Sequence, residues 1–150
     1  MKHWIIFLLV TFAASVHGQK YDWRRGIVRG STFALAGGVS GLHEGLQHPQ
    51  TYTGFKRIFP RANDSFWNPS LSWKRKYDNP YPLSATFPMF TDAYHLTNAV
   101  RTIGLIGSTT YIVIGQKRPW WHYGIDLLIG GTFYSIGTNG VYQYLKHRSR

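Results

Sequence analysis

The chain contains no cysteine. That removes disulfides, thiol nucleophiles, iron–sulfur clusters and thiolate zinc sites at once, and it fits either redox compartment. Motifs for nucleophilic or nucleotide chemistry are absent too. There is no G-x-S-x-G, no phosphate-binding P-loop and no G-x-G-x-x-G. Gly104-x-x-Gly107 and Gly137-x-x-Gly140 are helix-packing spacings, not dinucleotide fingerprints. His43-Glu44 is not the start of H-E-x-x-H, because Gln47 stands where the second histidine belongs and His48 arrives one residue late. No internal repeat and no heptad pattern occurs. Acidic residues are scarce: 6 Asp and Glu stand against 17 Lys and Arg, a formal net charge of +11.

Such a basic chain suits one of two partners. A nucleic-acid binder collects Lys and Arg on one face. A membrane protein uses them as anionic-lipid contacts and topology anchors. Here the cations flank apolar segments, which favours the membrane and makes nucleic acid the weaker expectation. The mean hydropathy of −0.23 is low for a protein with several spans, and a polar middle third explains only part of that. At 150 residues the chain forms one domain at most.

The apolar segments set the expected architecture. Lys2 and His3 precede the apolar run Trp4–Ala14, and small residues at Ser15 and Gly18 follow. Residues 1–19 therefore read as a signal peptide or signal anchor. Residues 20–150 are expected to form a single helical membrane domain. Gly26–Gln47 is glycine-rich, with Gly37, Gly41 and Gly45 at spacings of four, and Ala34 and Gly38 as a second small pair. Such ridges weaken a soluble helix but let helices approach closely in lipid. A helix from Thr91 or Asp92 is expected to run to Gly115, and a last one to end at Leu145. Lys117-Arg118-Pro119-Trp120-Trp121-His122 joins these two, as a basic and aromatic connector at a membrane–water interface. Counting Lys and Arg with the mature N-terminus outside puts nine inside and six outside, the expected sign.

The loop at about residues 48–88 holds six of the seven prolines and is dense in aromatics. The prolines exclude a long helix and the aromatics argue against disorder. A mostly irregular segment follows, with short helical turns after the N-caps Asn63 and Asn68. Asn63-Asp64-Ser65 also matches the glycosylation sequon, a short match that chance supplies often.

Ionisable residues inside apolar helices are the candidate site. Glu44 and His48 share a helical face at i and i+4, and Asp92 and His95 share one at i and i+3. If the two helices are neighbours, these four are a candidate ligand set for zinc, manganese or iron. The competing reading makes them a polar clamp, with Asp92 a first-turn residue and His95 its hydrogen-bond partner. Asp126 follows His122 by four and pairs with it near the connector. Phe66–Tyr77 interleaves aromatics with Lys74, Arg75 and Lys76, as an interfacial belt or a base-stacking surface would.

Phe66-Trp67-Asn68-Pro69, Ser72-Trp73-Lys74-Arg75-Lys76-Tyr77 and Thr91-Asp92-Ala93-Tyr94-His95 together resemble a pattern in small bacterial membrane proteins to which no activity is assigned. The likeness covers roughly residues 30–100. It implies the inner membrane of a bacterium and adds weight to Asp92 and His95, but supplies no catalytic residue.

The expectation is thus an all-α membrane bundle of about three spanning helices. Its leading function is a non-enzymatic scaffold or accessory subunit, with anionic lipids and a protein partner or second copy bound through glycine ridges, and no cofactor. The first alternative is a lipid-directed enzyme with a divalent metal on Glu44, His48, Asp92 and His95. The second is a membrane-tethered nucleic-acid binder. Metal analysis separates the first two, and salt-dependent DNA binding the third.

Overall fold

A computed structural model describes residues 20–75, 84, 86–115 and 117–150, with the side chain of Arg75 excepted. The signal segment at residues 1–19 and the end of the aromatic–basic run, Lys76 and Tyr77, lie outside the described residues. What is described is helical, without a strand. The helices are α1 (Trp23–Ser31), α2 (Phe33–Gln47), α3 (Pro49–Ile58), α4 (Asp64–Trp67), α5 (Pro69–Ser72), α6 (Ala93–Val113) and α7 (Trp120–Arg148).

The expected first helix is present but broken. The Ser31 hydroxyl donates to the Val28 carbonyl at 2.8 Å and that of Thr32 to the Arg29 carbonyl at 2.7 Å. Such back-bonding competes with helix continuation and separates α1 from α2. Asp92 opens α6 by accepting from the His95 amide at 2.9 Å. Gly115, at φ 126°, turns the chain out of α6 in a conformation that side chains rarely adopt. α7 runs past Leu145 to Arg148, ending with Lys146, His147 and Arg148 on the negative end of its dipole.

α2 is the central helix, between α6 and α7, which touch each other only slightly. Towards α7, a Cβ on Gly37 would sit 2.1 Å from the Tyr134 carbonyl oxygen, one on Gly41 2.3 Å from that of Thr138, and one on Gly45 2.7 Å from a Leu145 methyl. The numbers rise together, so α2 and α7 are parallel. Gly137 lies against the Ala34 carbonyl and the Gly38 amide, so the second small pair is used as well. Thr138 Oγ1 donates to the Gly37 carbonyl at 3.1 Å across the seam. Towards α6, Ala36 meets Gly104 and His43 meets Thr97, so this pair is antiparallel. The glycine ridge expected to engage a partner is thus covered by the chain's own α7.

The loop is more regular than its prolines suggest. Pro49 stands in the first turn of α3, where its missing amide costs nothing, and it starts a helix of 10 residues. Asn63 and Asn68 cap α4 and α5 as expected, accepting from the Ser65 amide at 2.9 Å and the Ser70 amide at 3.1 Å. Phe55 is buried with Leu46, Ala93 and Leu145, and Trp67 and Phe66 pack around them. Gly54 lies against the Leu145 carbonyl. Residues 49–72 therefore close one end of the bundle.

Among the described residues no helix is long and apolar enough to cross a membrane, so the expectation of about three spans finds no support there. Length is sufficient, at 21 residues in α6 and 29 in α7. The shortfall is in hydropathy, because Gly, Ser, Thr, Asn, Gln and Tyr dilute the aliphatic residues.

Candidate functional site

The bundle end opposite the loop is built around Asp126. This carboxylate lies on the first half of α7 and is 0% exposed. A buried carboxylate needs partners on the scale of its lost hydration. Arg118 Nη1 donates to Asp126 Oδ2 at 2.7 Å, and Arg29 Nη1 stands 3.5 Å from the same oxygen. The Tyr21 hydroxyl donates to Oδ1. Burial first, and then this carboxylate acceptor, push the Tyr21 phenol above its ordinary range.

Arg118 does more than neutralise Asp126. Its Nη2 donates to the Ile112 carbonyl in the last turn of α6 at 2.6 Å, and its guanidinium lies 4.4 Å from the centre of the Tyr123 ring. One side chain from the connector thus joins the end of α6 to the start of α7. Around the carboxylate, Tyr21, Trp121 and Ile125 form a small apolar cluster with Ile129 against it. His122 packs edge-on against Tyr21, with ring centres 5.2 Å apart. The sequence pointed to His122 as the partner of Asp126; the partners seen on the carboxylate are Tyr21, Arg29 and Arg118.

Above the network lies a cleft of about 560 Å³, lined by Asp22, Arg24, Arg25, Val28, Arg29 and Tyr111. Asp22 caps α1 through the Arg25 amide at 3.1 Å and pairs with its guanidinium at 3.2 Å. Three arginines on α1 thus face a cavity with one carboxylate among them. The Asp126 carboxylate is turned toward two guanidiniums and a phenol, which makes it an orienting group.

The expected ligand set is placed differently. Asp92 and His95 are brought together, with His95 Nδ1 2.8 Å from Asp92 Oδ1, inside the first turn of α6. Glu44 and His48 are exposed at the end of α2. Among the described residues no group of three or more His, Asp or Glu side chains is placed to hold a metal ion. The polar contact between α2 and α6 is made by other residues. His43 is buried, its Nδ1 lies 2.8 Å from Thr97 Oγ1, and its ring rests on Tyr94 at 4.5 Å.

No family model, curated protein or solved structure matches the chain.

Sequence reasoning found Asp126 because an acid in an apolar helix demands a partner. It missed Arg29, 97 positions away in the chain, since nothing local marks it. Arg118 carried a signal: it is a cation in the connector, eight residues before the acid. A second cleft, of about 500 Å³, lies at the loop end between Leu42, Phe55, Ile58, Phe59 and Trp67. Its walls are apolar apart from Arg61.

Proposed function

We propose that the protein is a non-enzymatic accessory or scaffold protein held at a bacterial inner membrane. One observation carries the reading: the outer face of the two long helices is uncharged and exposes many aliphatic side chains among Ser, Thr, Asn and Gln. Ile103, Ile106 and Val113 on α6, and Leu127, Leu128 and Ile136 on α7, are all exposed, Ile103 and Ile106 at 62%. From Thr102 to Gly115 there is no charged residue, and from Trp120 to Leu145 the single one is Asp126, which is buried. An exposed apolar face of this extent marks a lipid or protein contact.

The cations border this face at both ends. Arg24, Arg25, Arg29, Lys117 and Arg118 lie at one end, and Lys56, Arg57, Arg61, Lys146 and Arg148 at the other. That distribution suits anionic lipid at two interfaces and does not suit nucleic acid, which needs one continuous basic surface. Trp23 and Trp120, 51% and 78% exposed, add amphipathic rings at the first end. The up–down–up order of α2, α6 and α7 is also the order that three successive passes across one membrane would give.

The test is fractionation of cells expressing the full chain. The protein is expected in the membrane pellet after carbonate and after high salt. Release by either would remove the membrane part of the proposal. A native mass in detergent above that of one copy is expected if the exposed face also binds a partner.

A further inference from the structure

We propose that the cleft on α1 binds a dianionic phosphate group. The argument is one of charge. The cleft and the network beneath it contain four guanidiniums, from Arg24, Arg25, Arg29 and Arg118. They contain two carboxylates. Asp22 takes Arg25, and Asp126 is shared by Arg29 and Arg118. Two positive charges are left without a counter-charge among the described residues. Arg24 makes no hydrogen bond or ion pair among the described residues. A phosphate monoester carries about −1.5 to −2 at neutral pH and offers three acceptor oxygens, which matches the surplus. Guanidinium is the side chain suited to it, through paired N–H donors in a fixed plane.

The geometry is also pre-built. Asp126 is fully buried and holds Arg29 at the floor of the cleft, so this guanidinium is oriented before any ligand arrives. The ring of Tyr111 forms part of the opposite wall from α6. A phosphate here would bridge α1 and the end of α6.

Two sources share this chemistry, inorganic phosphate and the headgroup of a phosphomonoester lipid. The lipid source rests on the membrane reading above, and phosphate binding as such does not.

The experiment uses the full chain purified in detergent, titrated calorimetrically with inorganic phosphate and with short-chain phosphatidic acid. Saturable binding at one site is expected. Arg24→Gln is expected to weaken it about tenfold, the scale of one charge-assisted hydrogen bond. Because Arg24 has no hydrogen-bond or ion-pair partner among the described residues, this variant is expected to keep the parent's thermal midpoint. Arg29→Gln should weaken binding as well, at some cost in stability. Arg57→Gln, at the other end of the molecule, should leave affinity unchanged. Equal affinity for the two probes identifies the free anion, and tighter binding of the lipid identifies the headgroup. No binding of either probe, or equal losses in Arg24→Gln and Arg57→Gln, would overturn the proposal. A chain released by carbonate that still binds phosphate through Arg24 would sink the membrane reading alone.

Discussion

Asp126 takes its partners from three separate parts of the chain: Tyr21 before α1, Arg29 within α1, and Arg118 in the connector. Removing the carboxylate would leave two guanidiniums facing each other with no charge between them. Asp126→Asn is therefore expected to destabilise the fold by about 3–5 kcal/mol, the cost of breaking a buried pair. Tyr21→Phe removes only one neutral donor and is expected to cost about 0.5–1.5 kcal/mol. Chemical denaturation of both variants checks the order, and a reversed order would refute the assignment.

Asp64 is a milder case. Hydrogen bonds from Tyr52 at 2.6 Å and Lys56 at 2.9 Å hold its carboxyl below the ordinary value of 3.8. A folded-state value below the unfolded one means stability that is present above pH 3.8 and lost as pH falls through the folded value. The thermal midpoint of Asp64→Asn should thus lie slightly below the parent at neutral pH and converge with it in stronger acid. The difference stays small because the carboxyl is exposed.

At the scale of the element, α2 and α7 depend on missing side chains. Even the Cβ of an alanine at position 41 would meet the Thr138 carbonyl oxygen at 2.3 Å, and this neighbour is backbone. Gly41→Ala should cost at least about 1–3 kcal/mol, as overpacking does, and Gly41→Leu should separate the two helices. Gly131 faces open space on the same α7. Gly131→Ala should be neutral or stabilise by up to about 1 kcal/mol, through helix propensity alone. Thermal unfolding of the pair separates close approach from a general intolerance of side chains. The short helices invite a parallel test. Asn68→Ala removes the cap of α5 and should cost about 1 kcal/mol.

The whole molecule is ordered by charge along its length. Two basic ends enclose an uncharged band on α6 and α7, and the loop seals one end while the Asp126 network ties the other. Initial capture of the detergent-solubilised chain by vesicles of anionic lipid should accordingly slow as salt rises from about 0.05 to about 0.5 M, through Debye screening of exposed cations, while chain already inserted stays bound. Insensitivity to salt would mean that the apolar band alone provides the attachment. Nothing of the site near Asp92 is expected to respond to a chelator, since Asp92 and His95 satisfy each other within one turn of α6.

Local features were legible in the sequence. The caps at Asn63 and Asn68 follow from side chains that reach amides two residues away, so no distant information is needed. The Gly37, Gly41 and Gly45 face followed from helical period, and so did its role in close packing. Which surface that face would meet was not legible, because period places residues on a face without saying what covers it. Only the tertiary structure assigned it to α7. The same limit governs the sites. Spacing brought Asp92 to His95, since both lie on one helix. It could not join Glu44 and His48 to them, because that depends on how α2 rotates against α6, and the rotation is decided by Ala36 on Gly104 and His43 on Thr97. Arg29 reached Asp126 for the same reason: parallel packing of α1 and α2 along α7 brings together residues whose separation in the chain carries no signal.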